Sequence, residues 1–494
     1  MEPDAFSRPH TLVVGSRPIW FRRFDDGSGY AINLDHPTGV QYLVKSAADR
    51  LTEILSYCSN PLVASKADSF LDTQSLIDRQ IVLKLLDPLG RLKGFRSSEV
   101  PDFRASIKDQ VSVWFHISNS CNLACSYCYI PGLKKAVTVP KDGTIPSDHL
   151  LRKIIASLFE LARDNGFRSL RIRFAGGEPS LVPELLELAC KEALLLSSRT
   201  SIPVTFSILT NATLVTSQFL HILTKFKFSG ISISIDGDCA SHDSYRFKLE
   251  KLAGKATRVG TWKGIFENIR LLGEHGIRPY VLTTVTEKNY QSLGELVDAC
   301  LEHKVGFRLS PVRDDRTSRL PGIQEAILSV LESIYEGLPE RLPMSRPIQN
   351  YANFAEWAPH VKKSVACGTC RSSFALNQNG EVSTCQMRLE TTYGSIQTEE
   401  LGQIFRRMAE HPDNWRFVAS SKARGGCSVC LWRTTCAGGC PEHTKLSHDT
   451  YDAPSPWCKL YGDFLPVYFR AIAKQMKRFV DSNLNESAPK LVEV

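Results

Sequence analysis

No apolar run in this 494-residue chain is long enough to span a bilayer. The first thirty residues lack the basic, apolar and small-residue succession of a secretion signal. No Pro- or Ser-rich tract of the kind that stays disordered is present, and nothing repeats at a fixed period. Charge is not gathered into an arm: 60 Lys and Arg against 52 Asp and Glu give +8, spread along the chain. That balance predicts a solvated surface with a mild bias toward anionic partners, and neither a membrane nor a nucleic-acid function. Together these absences predict a cytoplasmic protein. In that compartment fifteen cysteines argue for metal ligation rather than disulfides.

With 43% hydrophobic residues, the chain can build one large core and one or two smaller domains. Its most informative stretch is Cys121-Asn-Leu-Ala-Cys125-Ser-Tyr-Cys128, directly after an apolar run at 111–118 that reads as a buried strand. Three thiolates on one short loop can hold three irons of a [4Fe–4S] cube and leave the fourth open to substrate or cofactor. With Tyr127 before the last thiol, the loop resembles that of the radical S-adenosylmethionine (SAM) superfamily. There the open iron chelates SAM and drives its reductive cleavage to a 5′-deoxyadenosyl radical.

Strand and helix patterns alternate from 111 to about 313. Strands read at 111–118, 169–175, 204–209, 230–235, 279–285 and 306–312, with amphipathic helices such as Leu151 to Ala162, Pro183 to Leu196 and Trp262 to Leu272 between them. Parallel strands need helical crossovers, so this predicts an α/β fold, a partial (β/α)6 TIM-like barrel. Such sheets place their chemistry at the carboxyl ends of the strands. The second strand ends in Gly176-Gly177-Glu178, which resembles the family's GGE motif and implies contact with the SAM ammonium. The third ends in Thr210-Asn211 and the fourth in Ser234-Ile-Asp236, polar groups suited to the ribose and carboxylate. His242-Asp-Ser-Tyr-Arg246 resembles the HDxxR of peptide-modifying members, which implies Arg246 near the carboxylate. The resemblance also implies Tyr127 against the adenine and backbone contacts to it near Val285.

Cysteines return as Cys367-x2-Cys370, Gly380-x4-Cys385, then Cys427-x2-Cys430-x5-Cys436-x3-Cys440 and Cys458. This spacing resembles the SPASM extension of radical SAM maturases. The resemblance implies two auxiliary [4Fe–4S] clusters, on Cys367, Cys370, Cys385 and Cys440, and on Cys427, Cys430, Cys436 and Cys458. If Cys367 or Cys370 is not a ligand, the first would keep an open iron. Two four-thiolate zinc sites are the competing reading. Asn379-Gly380 reads as a hairpin turn delivering Cys385. Cys190 and Cys300 read as core residues, and Cys239 stands near the active face.

Ahead of the loop, 19–24, a turn at 25–29, 30–34 and 41–44 read as three strands, followed by helices near 46–57 and 73–86. This winged-helix-like module resembles the PqqD-like element that receives a precursor's leader peptide as an added strand. A structural cap is the alternative. The expected domains are 1–105, the radical SAM core at 106–340, a linker at 341–365, the SPASM region at 366–462 and a C-terminal helix and tail at 463–494.

These resemblances imply a maturase that abstracts a hydrogen atom from a ribosomally made precursor peptide and installs a C–C, C–O or thioether crosslink, served by a flavodoxin- or ferredoxin-type reductant. One alternative is formylglycine formation, as in anaerobic sulfatase maturases, but those carry Asp where this chain has Gln386. The other is a non-catalytic, zinc-stapled binding protein. The general base is open, with Glu287, Asp314 and Gln386 as candidates and Asp315 and Glu381 behind them.

Overall fold

The structure, a computed structural model, describes residues 10–14, 17–33, 41–43, 48–49, 109–130, 143–252, 255–343, 345–355, 366–411 and 425–486. The expected helices near 46–57 and 73–86 fall almost entirely outside them.

The N-terminal strands are β1 (His10–Val14), β2 (Arg17–Arg23), β3 (Gly29–Asn33) and β4 (Gln41–Leu43), paired antiparallel in that order. The expected hairpin is there, with β1 as a fourth strand that the sequence reading lacked. The central strands follow as β5 (Gln110–Ser118), β6 (Ser169–Gly176), β7 (Val204–Thr210) and β8 (Gly230–Ser234). A charged hairpin, β9 (Lys248–Leu252) and β10 (Lys255–Val259), interrupts them before β11 (Tyr280–Val285) and β12 (Gly306–Pro311). Short strands complete the list: β13 (Ala352–Phe354), β14 (Ser373–Leu376), β15 (Glu381–Ser383) and β16 (Thr392–Ser395).

One ten-stranded sheet has the order β13-β12-β11-β8-β7-β6-β5-β14-β15-β16. Pairing is parallel from β13 to β14 and antiparallel beyond. All six expected strands are present. Two expectations need correction. The stretch read as linker contributes β13, because Phe307 to Leu309 on β12 offer a parallel edge to Ala352–Phe354. The C-terminal helix starts at Cys458, ahead of the expected boundary at 463, and runs to Glu486.

The helices form where sequence and caps agree. In Asp148–Asp164 the apolar residues Leu151, Ile154, Ile155, Leu158 and Phe159 recur every three or four positions and are buried. Ser147 caps it, accepting the Leu150 amide at 3.2 Å, worth about 1 kcal/mol. These helices cover one face of the sheet, whose Val113, Phe115, Ile172, Phe174, Ile208, Ile233 and Phe307 make the core. The helix Cys458–Glu486 lies along Ile323–Arg341, with Tyr335 and Phe464 rings 4.9 Å apart. It also supports the N-terminal sheet, where Lys477 pairs with Asp26 at 2.7 Å. No described helix is long and apolar enough to cross a membrane.

Candidate functional site

The ends of β5, β6 and β7 are stitched together around the cysteine loop. Gly177 and Glu178 donate their amides to the carbonyls of Ser118 and Ser120, each at 2.7 Å. The approach is so close that a Cβ on Gly176 would stand 2.3 Å from the Ser118 oxygen, and one on Gly177 2.1 Å from that of Ser120. No side chain fits there, and the Gly176 φ of +136° favours glycine besides. The glycines therefore serve the seating of the thiols.

Glu178 is buried and has work of its own. Its carboxylate accepts from the Thr210 hydroxyl at 2.6 Å, the Asn211 amide at 2.7 Å and the Ser180 amide at 3.0 Å. Burial nevertheless pushes its carboxyl above the usual range. Besides the ammonium contact that the resemblance implied, this carboxylate bolts β6 to β7. Asn211 then donates to Asn122 at 2.9 Å and faces the Cys121 sulfur at 3.9 Å.

Cys121, Cys125 and Cys128 share a small apolar pocket with Leu123 and Ile130. Burial pushes the Cys121 thiol up to about 12, and the charges of Glu178, Cys125 and Cys128 add to it. The loop is held on its far side by Ala124 and Ser126, whose amides reach the carbonyls of Phe247 and Tyr245 at 3.0 Å each.

That far side is the segment around Arg246. Its guanidinium pairs with Asp236 at 2.6 Å, lies 5.2 Å from the centre of the Tyr127 ring, and faces the Cys125 sulfur at 3.9 Å. The Tyr127 hydroxyl also donates to Asp236, whose other oxygen accepts the Thr284 amide at 2.8 Å. His242 sits beneath. Its Nδ1 accepts the Asp236 amide at 3.2 Å, so Nε2 carries the proton and donates to Thr261 at 3.0 Å. Thr261 passes a bond on to the Arg246 carbonyl. This buried Thr261 link escaped the sequence reading, because nothing local marks a threonine fifteen residues from its partner.

The Ser234 side chain makes no hydrogen bond among the described residues, and its backbone stands in register with Leu282. The Val285 side chain is in the core and its carbonyl is taken by the Val312 amide at 2.8 Å. Glu287 and Asp314 converge on Thr317, accepting from its hydroxyl at 3.1 and 2.6 Å. Asp315 is exposed on the same loop, whereas Glu381 bonds Asn377 within the β14–β15 hairpin. Cys239 bonds Asp243 at 3.6 Å, and Cys190 and Cys300 are fully buried.

Gly380, at φ +75°, turns β14 into β15 and carries the chain to Cys385. Burial pushes the Cys385 thiol up, with the charges of Cys367 and Cys440 next; Cys370 is pushed to about 12 by burial and then Cys367. Cys436 is likewise raised to about 12, by burial and then, among the thiols, by Cys458, Cys427 and Cys430. The described thiols thus act on one another in three groups: 121, 125 and 128; 367, 370, 385 and 440; 427, 430, 436 and 458. No three His, Cys, Asp or Glu side chains among the described residues converge tightly enough for a single metal ion.

Residues the sequence reading passed over lie on the sheet's other face. His116, Arg171, Arg173 and Arg308 alternate with core residues along β5, β6 and β12. A signal for them existed, because parallel strands covered on both faces read as continuous apolar runs and these do not.

Residues 115–300 match the Radical SAM superfamily. The chain contains a radical SAM domain and is an enzyme of that type, a class that works with SAM on a [4Fe–4S] cluster. That removes the non-catalytic reading. The chain is 23% identical over 366 residues to a cysteine-type anaerobic sulfatase-maturating enzyme of Clostridium novyi (strain NT), covering 70% of this chain and 92% of that protein. It is 24% identical over 318 residues to the antilisterial bacteriocin subtilosin biosynthesis protein AlbA of Bacillus subtilis (strain 168), covering 60% of each. Among solved structures, native anSMEcpe with bound AdoMet has a similar fold, with a TM-score of 0.57 at 19% identity over 76% of this chain and 99% of that one.

Proposed function

We propose that the protein is a peptide maturase that removes hydrogen from a ribosomally made precursor and closes an intramolecular C–C, C–O or thioether crosslink. What supports this reading is that Cys367 and Cys440 act on Cys385, Cys367 acts on Cys370, and Cys458, Cys427 and Cys430 act on Cys436. Four thiolates each would hold two auxiliary [4Fe–4S] clusters, on Cys367, Cys370, Cys385 and Cys440 and on Cys427, Cys430, Cys436 and Cys458. Cys121, Cys125 and Cys128 would hold the third. When bound, SAM and that cluster supply the hydrogen-abstracting radical.

The chain's own residues orient and exclude. The Gly176–Gly177 cradle fixes the thiol loop, Tyr127 and Arg246 wall one side of it, and the ends of β7, β8 and β11 complete the SAM platform. Bond closure leaves one electron and one proton to be carried away. The auxiliary thiol groups are where an electron acceptor would sit, with a flavodoxin- or ferredoxin-type protein as the external reductant. Among the described residues β1 and β4 are the edge strands of the sheet β1–β4, and a leader peptide would add to such an edge.

Formylglycine formation is the second reading, favoured by the sulfatase-maturating relative's coverage of 92% of its own length. Against it stands Gln386, an amide that cannot accept a proton as a carboxylate does. Anaerobically reconstituted protein with SAM and strong reductant should convert a candidate precursor to a product two hydrogens lighter and unreactive to hydrazide. A hydrazide-reactive aldehyde on a Cys- or Ser-containing sulfatase peptide would instead establish the second reading.

A further inference from the structure

The hairpin β9–β10 forms a two-stranded sheet of its own. Between Lys248 and Val259 the chain holds Lys248, Lys251, Lys255 and Arg258 against the single carboxylate of Glu250. Antiparallel register pairs Lys248 with Val259, Leu249 with Arg258, Glu250 with Thr257, Lys251 with Ala256 and Leu252 with Lys255. Residues directly opposite one another share a face, and successive residues alternate between faces. One face therefore takes positions 249, 251, 256 and 258, and the other takes 248, 250, 252, 255, 257 and 259. On the first, Leu249, Ala256 and Arg258 are exposed, whereas Lys248, Thr257 and Val259 on the second are half-buried. The outward face thus sets Leu249, 41% exposed, beside the positions of Lys251 and Arg258 and carries no carboxylate.

The base of the hairpin is fixed to the thiol loop. Just ahead of β9, the carbonyls of Tyr245 and Phe247 receive the amides of Ser126 and Ala124. Just past β10, Asp243 accepts the Thr261 and Trp262 amides at 2.7 and 3.0 Å. The turn there is tight, because a Cβ on Gly260 would stand 2.1 Å from the Asp243 Oδ2. The Arg258 guanidinium lies over the buried Phe247 ring, 4.2 Å from its centre. A single residue therefore joins the outward cation to the backbone between Cys121 and Cys125.

We propose that the outward face of β9–β10 is the docking surface for an acidic one-electron carrier protein of the flavodoxin or ferredoxin type. Carboxylates of the carrier meet Lys251 and Arg258, and an apolar patch at its redox group meets Leu249. One electron leaves the carrier for the cluster on Cys121, Cys125 and Cys128, and no bond forms between the two proteins. Electron-transfer encounters are small and weak, and complementary charge chiefly raises their rate of formation. A cationic face around one exposed leucine has that composition. Place favours a carrier over an acidic stretch of substrate: the electron must enter at the thiol loop, to which this hairpin is tied. The inference rests on the external-reductant reading above.

A dye-labelled acidic bacterial flavodoxin and the full, anaerobically reconstituted chain provide the test. Fluorescence anisotropy at low ionic strength should show the Kd rising about threefold in Lys251→Glu and about tenfold in Lys251→Glu/Arg258→Glu, with Arg258→Lys within about twofold of wild type. Reversal of Arg199 and Lys227, exposed ahead of β7 and β8, should leave the Kd unchanged. Added salt should weaken wild-type binding more steeply than that of the double variant. Formation of 5′-deoxyadenosine driven by reduced flavodoxin should fall with the affinity, while formation driven by dithionite keeps its wild-type rate. Unchanged flavodoxin affinity in the double variant overturns the docking face. A fall in the dithionite-driven rate assigns the hairpin to the shape of the thiol loop and overturns the proposal too. Less peptide product per SAM cleaved with dithionite, at unchanged flavodoxin affinity, gives the face to an acidic peptide segment instead. Dithionite-driven cleavage by a wild-type chain that binds neither the flavodoxin nor an acidic ferredoxin removes the carrier reading itself.

Discussion

Tyr129 donates its hydroxyl to Gln386 across 3.5 Å, joining the residue after the last thiol of the first loop to the residue after Cys385. The two are 257 positions apart in sequence, so the contact links the SAM-binding loop directly to the first C-terminal thiol group. A bond this long and exposed adds little to stability. Its place between two sets of thiols gives it more weight in chemistry. Gln386→Ala should leave reductive SAM cleavage within about twofold, while peptide product per SAM cleaved falls about fivefold. Chromatography of 5′-deoxyadenosine and product from one reaction supplies both numbers. An unchanged ratio would show that Gln386 has no part in coupling.

The glycine cradle makes a sharper prediction. In Gly177→Ala the new methyl would stand 2.1 Å from a backbone oxygen that cannot step aside, because the Ser120 carbonyl already receives the Glu178 amide. The thiol loop must move. The variant should reconstitute with about four fewer irons per chain than wild type, the loss of one cube. Its C-terminal thiol groups lie elsewhere and should keep their absorption. Full iron loading would mean that the loop tolerates the shift.

Much of this architecture could be read from the chain because its signals are local. The six central strands are short β-patterned runs with apolar residues at alternate positions or throughout, set between amphipathic helices, and the residues that end them, Gly176 to Glu178 and Ser234 to Asp236, are adjacent in sequence. Strands β13 to β16 carry no such signal. They are three or four residues long and exist because a neighbouring edge accepts them, as β5 accepts Ser373 to Leu376. The role of Glu178 was invisible for the same reason, since Thr210 and Asn211 reach it from thirty-two and thirty-three residues away. The arginines were visible as an alternation in Ser169-Leu-Arg-Ile-Arg-Phe-Ala, but only the register of β6 against β5 and β7 shows that they share a face.

Asp236 holds three donors at once, from Arg246, Tyr127 and Thr284, with its side chain 1% exposed. Removing it leaves the Arg246 guanidinium, itself only 14% exposed, without its counter-charge. Breaking a buried pair from one side costs about 3–5 kcal/mol. Asp236→Ala should therefore lower the urea midpoint well beyond the effect of an exposed pair such as Arg270–Glu274, worth under about 1 kcal/mol. Comparison of Asp236→Ala with Glu274→Ala by chemical denaturation gives the contrast directly. Similar midpoints would remove Asp236 from the supports of the loop.

Three buried histidines bear on the acid limit of the fold. Burial lowers His116, His242 and His443 from 6.5 to about 4, and the surroundings of the first two explain why neither accepts a second proton. The His242 Nδ1 already receives the Asp236 amide, while both ring nitrogens of His116 are buried away from any partner. Between pH 6.5 and 4 the unfolded chain binds protons that the native state refuses, so stability falls as pH drops through that window. Each histidine should account for about 3 kcal/mol by pH 4. His116→Leu removes one of the three titrations and keeps an apolar residue against β6. Its unfolding free energy should lose roughly a third of the histidine contribution to the pH slope between pH 6.5 and 4. Denaturation curves at matched iron loading measure this, and an identical slope in the variant would mean that His116 is protonated in the native protein.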